Sequence, residues 1–365
     1  MTRPFKQSEA ARDMCPCEDK ARQAGFSIIE VLIATACMMV VLASVLGLLG
    51  RSITSSNATY ELTESQESLR TAQEYIARDL TTVGDGLKCI GGIQVPPAFV
   101  VNYLTLAPGI DTTNFPIVAS DDNMPTGLAV PQAAPAATFL GGTDRMTLLG
   151  IDPDFSSIPL PAGAISANGS VINVSAATLA RVNPGEIYCI TSRLGAAFGI
   201  ITATAGGANP TITFSPGGID IYGLNVANGP VRAVSRDPQT GNAIATTFAR
   251  IRIMQYFVNV NRLLIRRVFG VRGGAFIDNV VAEHVTDMKV RYVLNLTDAN
   301  GFARQPVSQL TTTLEQSSVR EVEVSLTTET AHGINAGARW PLTMTTTTSV
   351  RNLQFRRALQ PTRAG

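Results

Sequence analysis

The sequence predicts an α+β protein: one long N-terminal helix, apolar enough at its start to cross a membrane, followed by a β-rich head with long loops. Three observations carry this. Residues 26–50 form a nearly continuous apolar run. Residues 51–83 contain no proline or glycine and place apolar side chains on a three- and four-residue stripe. Beyond Gly86, short runs rich in Val, Ile and Thr alternate with Gly- and Pro-rich stretches. The composition agrees, with 45% apolar and only 16% charged residues among 365, and with 31 Gly and 20 Pro. So apolar a chain is not disordered. With 29 basic against 28 acidic residues, it lacks the surplus that counterion-release binding to nucleic acid requires, and no nucleic-acid partner is expected.

The first element reads FSIIEVLIATACMMVVLASVLGLLG. As a helix it is about 37 Å long, enough to cross a hydrocarbon core of about 30 Å. It is too long for the apolar core of a secretory signal peptide, and no A-x-A-like site follows it. A plain membrane anchor fits the length but leaves Glu30 unexplained. A carboxylate within an apolar span costs roughly 2.5–3.5 kcal/mol on insertion scales, so it calls for a partner. The preceding residues carry Arg3, Lys6, Arg12, Lys20 and Arg22 against Glu9, Asp13, Glu18 and Asp19, a weak positive-inside bias.

Ala24-Gly25-Phe26-Ser27-Ile28-Ile29-Glu30-Val31-Leu32-Ile33-Ala34 closely resembles the type III signal of type IV prepilins and pseudopilins. The resemblance implies a leader, 1–25, removed by a prepilin peptidase between Gly25 and Phe26, with N-methylation of Phe26. Glu30 is then the family's acid, neutralised by the Phe26 amine of a neighbouring subunit. Glycine at the cut offers the peptidase no side chain to exclude, and cutting there leaves the whole apolar helix on the mature chain. The implied organisation is a transmembrane part (26–50), an amphipathic stalk (51–83) and a head (84–365). The implied partners are other minor and major pilins, met through the helix, and the inner-membrane assembly platform. The head would face the periplasm and later the cell surface.

In the stalk, Leu62, Leu69, Ala72, Ile76, Leu80 and Val83 form the stripe. Glu61, Glu64, Glu67, Arg70, Glu74, Arg78 and Asp79 are assigned to the polar side, and Gly84-Asp85-Gly86 stops the helix. Gly47 and Gly50 are its soft points. Expected strands are Arg145–Gly150, Ser170–Val174, Glu186–Thr191, Ile200–Thr204 and Thr211–Phe214. A hairpin is expected from Ile251–Val258 through Asn259–Asn261 to Leu263–Val268. Further strands are Val285–Leu296, Val319–Thr328 and Thr343–Phe355. Residues 107–142, with five prolines, and 215–242 read as irregular. This order, with GTDRMTLLG, NPGEIYCITS, MQYFVNVNRLLIRRV and DMKVRYVLNLTDANG, resembles the PilW-type minor pilins, related to the J-class minor pseudopilin of type II secretion. That implies a low-copy subunit of a tip or initiation complex. A type II secretion pseudopilin and a tip adhesin are the alternatives.

Cys15 and Cys17 fall in the leader and Cys37 in the span, leaving Cys89 and Cys189 for the oxidising side. A bridge closing a loop of about 100 residues would contribute up to roughly 4–5 kcal/mol on the chain-entropy model; two buried thiols are the other reading. His284 is expected at a strand edge and His332 in a Gly/Ala loop, neither beside a nucleophile–acid set. No hydrolase, zincin or phosphate-loop motif occurs, so no catalytic residue, cofactor or metal is expected. Asp121-Asp122-Asn123 and Asp152-Pro-Asp154 look like calcium-loop fragments without the closing Glu and read as solvated turns. Arg262, Arg266, Arg267 and Arg272 read as a hairpin's solvent face.

Overall fold

The computed structural model describes residues 26–84, 93–106, 110–132, 135–273, 276–298, 301–331 and 339–350. The chain forms two units, divided between Asn57 and Ala58. The first helix, α1 (Ile28–Thr82), belongs to both. In the first unit every described residue, 26–57, is exposed. Three of its hydroxyls return to the backbone: Thr35, Ser44 and Thr54 donate to the carbonyls of Val31, Val40 and Gly50, each at 2.9 Å. Within the apolar run, Thr35 and Ser44 thus satisfy their hydroxyl protons on the helix itself.

In the second unit, the stripe predicted for α1 is buried at Leu69, Ala72, Ile76, Leu80 and Val83, while Leu62 is only half-buried. Gly84, at φ +71°, ends the helix, and its N–H donates to the Leu149 carbonyl at 2.9 Å. Asp85 and Gly86 lie outside the described residues. Asp79 corrects the expectation: it is buried, 7% exposed, and holds Arg266 and Tyr256.

In chain order the head then contains β1 (Ile93–Gln94), α2 (Pro97–Phe99), β2 (Asn114–Phe115), β3 (Val118–Asp121), β4 (Arg145–Ile151), β5 (Ile158–Leu160) and β6 (Val171–Asn173). Next come α3 (Ala176–Leu179), β7 (Ile187–Ser192), β8 (Gly195–Ile200), β9 (Ala203–Ala205), β10 (Thr211–Thr213) and α4 (Pro230–Ser235). The last third holds β11 (Thr246–Val258), β12 (Leu264–Phe269), β13 (Ile277–Ala282), β14 (Val285–Leu294), α5 (Thr313–Ser317), β15 (Val319–Glu329) and β16 (Pro341–Ser349).

Among the described residues the largest sheet has ten strands, organised by β11. Residues 246–250 of β11 pair antiparallel with β5 and β7; residues 251–258 pair with β4 and β12. At this change of partners, Arg250 and Arg252 both reach Asp152, at 2.6 and 2.7 Å. The predicted hairpin is β11–β12, in register from Ile253↔Phe269 to Val258↔Leu264. A second sheet, β14–β15–β16, turns Met288, Val290, Tyr292, Val322, Val324 and Leu326 onto the core that also receives Leu69, Ile76 and Leu80. A small sheet, β6–β10–β9, covers the cluster around Phe155, Tyr188 and Phe248.

Several expectations change. The strand expected over Ile200–Thr204 is two: β8 ends at Ile200 and β9 begins at Ala203. β8 reads GAAFGI and is buried throughout, so it shows no alternation; Gly199 lies against the Phe214 ring, where a Cβ would sit 3.0 Å from it. The stretch 107–142 is not wholly irregular, because β3 within it pairs with β4. β1, β5 and β13 were not anticipated. β16 starts at Pro341, and residues 351–355 of the strand expected there lie outside the described residues.

Candidate functional site

The residues expected to be processed and to pair stand at the start of α1. Ser27 caps the helix: its carbonyl accepts from Glu30 N–H at 3.0 Å and Val31 N–H at 3.3 Å, and its hydroxyl accepts from Ile29 N–H at 3.4 Å. In return Ser27 N–H donates to Glu30 Oε2 at 3.2 Å. This is one half of a Ser-x-x-Glu capping box: the Glu30 carboxylate reaches back to the Ser27 N–H, while the Ser27 hydroxyl meets the N–H of Ile29 and not that of Glu30. Within the described first turn, the carboxylate meets the positive end of the helix macrodipole, worth about 0.3–1 kcal/mol at an exposed end. Phe26 is 84% exposed, and Glu30 is the only charged side chain between Phe26 and Gly50. Gly25 lies outside the described residues. The arrangement can present a fixed carboxylate on an apolar, uncovered helix. Burying that surface against other apolar matter requires that the Glu30 charge be neutralised, by a cation or by a proton.

The other singled-out residues serve the head's interior. Arg266 forks onto Asp79, Nε to Oδ2 at 2.6 Å and Nη2 to Oδ1 at 3.1 Å, and the Tyr256 hydroxyl donates to the same carboxylate. Burial pushes the Tyr256 phenol up, and the charge of Asp79 adds to this. Burial alone would lower Arg266, but Asp79 outweighs it and holds the guanidinium charged. Arg267 is 1% exposed, forks onto Asp278 at 2.7 Å on both arms and lies 4.2 Å from the Phe276 ring centroid. Arg262 pairs with Glu329 at 2.8 Å, and Arg272 is exposed. The solvent-face reading of this cluster is thus corrected at Arg266 and Arg267: each has a carboxylate partner from another segment, which the alternation of one hairpin does not reveal.

The calcium-like fragments are bound by arginines rather than left as solvated turns. Asp121 pairs with Arg145 at 2.6 Å in a buried contact, and Asp152 with Arg250 and Arg252. Among the described residues no group of three His, Cys, Asp or Glu side chains is placed to hold a metal ion. His284 is in the tight β13–β14 connection at φ +57°, its carbonyl accepting from Glu329 N–H. His332 and Cys89 lie outside the described residues. Cys189 is buried in β7, opposite Phe198 and Ala249, with Sγ 3.5 Å from Thr191 Oγ1.

Residues 20–46 match the family model described as the prokaryotic N-terminal methylation motif. The match supports a type IV pilin- or pseudopilin-like protein, with prepilin-peptidase processing and membrane anchoring through α1. No curated protein and no solved structure matches the chain.

Proposed function

We propose that this chain is a minor pilin of the PilW type, a non-enzymatic subunit that helps to initiate a type IV pilus or occupies its tip. The observation that carries the reading is the methylation motif, set on an uncovered apolar helix whose single acid is Glu30 and followed by a large β head. In this reading the peptidase cuts between Gly25 and Phe26, and the methylated amine of Phe26 on one subunit neutralises Glu30 on the next. The head then stands in the periplasm and later at the cell surface.

Mass spectrometry of the membrane-derived chain should find N-methylated Phe26 at the mature N-terminus, and Gly25→Val should leave the precursor uncut. An intact leader on the wild-type chain overturns the reading. Glu30→Val separates assembly from insertion. It removes the span's only charge, so the chain should insert and be cut normally, yet lose most of its recovery with other pilin-like subunits from membranes. Wild-type recovery would sink the pairing. Recovery with secretion pseudopilins in place of pilus subunits would assign the chain to type II secretion.

A further inference from the structure

Lys289 of β14 ends among oxygens from another part of the head. Its Nζ donates to Asn123 Oδ1 and to the Gly142 carbonyl, each at 2.6 Å, and to Asp144 Oδ1 at 3.3 Å. Nζ can only donate, so the Asn123 atom that faces it is the amide oxygen. Backbone bonds hold each member of the group in place. Met124 N–H donates to the Thr143 carbonyl at 2.7 Å and Gly142 N–H to that of Met124 at 2.9 Å, which fixes Asn123 beside 142–144. Asp144 N–H donates to the Met288 carbonyl at 2.8 Å, which brings β14 alongside. Asp144 is 1% exposed, and its carboxylate accepts from Asn123 N–H on Oδ1 at 3.0 Å and from Val290 N–H on Oδ2 at 2.7 Å. The Asn123 amide is held from its other end, since Nδ2 donates to Asp122 Oδ1 at 2.7 Å and Asp122 Oδ2 accepts from the Ser308 hydroxyl at 2.9 Å. An ion pair needs only two of these groups. Here an amine, a carboxamide and a buried carboxyl group meet, the set that amide exchange requires.

The chemistry follows from the distances. With the oxygen at 2.6 Å, an amide C=O bond of about 1.23 Å puts Asn123 Cγ within about 3.8 Å of Lys289 Nζ, close to a near-attack arrangement. The outer torsion of an Asn side chain is broad, so the amide can turn its face to the amine. As an ammonium, Lys289 has no lone pair to attack with. It must first give up a proton, and Asp144 is the carboxylate in contact with it. Burial raises the Asp144 carboxyl above the ordinary range, against the pull of the Asn123 and Val290 N–H bonds and the Lys289 charge, and the charge of Asp122 adds to the rise. Asp144 is therefore a stronger base than a carboxylate in water. The Lys289 side chain is 38% exposed and Asn123 is exposed, so a small leaving group has a way out.

We propose that the chain joins Lys289 to Asn123 by an isopeptide bond that it forms itself, with Asp144 as the proton carrier. Asp144 takes a proton from the Lys289 ammonium, and Nζ attacks Asn123 Cγ. The Nζ–Cγ bond forms, Asp144 returns the proton to Nδ2, and the Cγ–Nδ2 bond breaks. Ammonia leaves, taking up the second proton that Nζ sheds, and Asp144 ends as it began. No oxidant, cofactor or second molecule is consumed. The bond ties residues 166 positions apart and fastens the β3–β4 connection of the large sheet to β14 of the second sheet. It is independent of what the protein assembles with, since every group in it belongs to the head.

The test is mass spectrometry of the purified full chain, beside a Lys289→Arg variant that keeps the charge and lacks the attacking amine. Digestion of the wild-type chain should yield one branched peptide that contains Asn123 and Lys289 and is lighter by one ammonia than its two parts. In a denaturing gel the wild-type chain, closed into a loop, should run ahead of Lys289→Arg. Recovery of the Asn123 and Lys289 peptides separately, each at full mass, would overturn the proposal and leave an ion pair only. This measurement on the unaltered chain decides the bond whether or not any variant folds. Asp144→Asn keeps the size of the side chain and removes the base, so it should slow bond formation by about a hundredfold, while Asp144→Glu should retain the bond. Linking of Asp144→Asn at the wild-type rate would take Asp144 out of the proton's path and overturn its role.

Discussion

Replacing Asp79 by Ala would leave the Arg266 guanidinium and the Tyr256 hydroxyl without their common acceptor inside the head. Removing one partner of a buried charge pair costs about 3–5 kcal/mol, because the remaining charge is still desolvated. Asp79→Asn keeps one acceptor oxygen and should cost less than half of that. Denaturant unfolding of the solubilised chain would measure both, and a loss below about 0.5 kcal/mol for Asp79→Ala would contradict the role given to this carboxylate. The residue was partly legible. Asp79 lies three residues after Ile76 and four before Val83, which places it on the apolar stripe rather than opposite it. What the sequence could not supply was Arg266, 187 positions away. The contact of Glu30 with the Ser27 N–H, by contrast, is local: a Ser-x-x-Glu helix start needs only its own four residues.

At the scale of elements, legibility followed alternation and local closure. α1 was readable from its stripe and its glycine stop, and β11–β12 from two β-rich runs joined by Asn259–Asn261. β15 alternates from Glu321 to Glu329 and is legible nearly to its ends. β8 was missed because both its faces are buried and two of its six residues are glycine, a composition that resembles a loop. β1, β2 and β5 are two or three residues long, held by neighbours from distant sequence, and carry no period of their own. Arg266 and Arg267 of β12 looked like a polar face because one-dimensional alternation does not tell a charge in water from one paired across the fold.

For the whole molecule, the two units answer different questions. The first, exposed at every described residue, holds the segment on which the functional reading depends; the second has its own core. Within the second, a bridge between Cys89 and Cys189 would tie the segment after α1 to β7 at the middle of the large sheet. Cys189 is already enclosed there, so a bridge would hold Cys89 to the interior and restrict the unfolded chain. Alkylation of the denatured, unreduced chain should then leave the peptides of Cys89 and Cys189 unmodified. Two alkylated thiols would show that the head does without the bridge. The head's topology was only partly visible beforehand, since β11 pairs with four strands from both sides of it in sequence and no local pattern announces that.

The way α1 joins the head also has a mechanical consequence. Within the second unit, a pull along the helix from Ala58 onward is taken up by Leu69, Ala72, Ile76 and Leu80, then by Asp79 and the Gly84 N–H bond to Leu149. These attachments lie in a row along the helix axis, so tension reaches them together, as shear, and does not peel them one after another. The Arg266 fork and the Tyr256 hydroxyl grip the far end of that row, where sliding by one helical turn would move Asp79 about 5.4 Å and break both. The helix is thus tethered to the head by a joint that resists axial slip most strongly at its last turn.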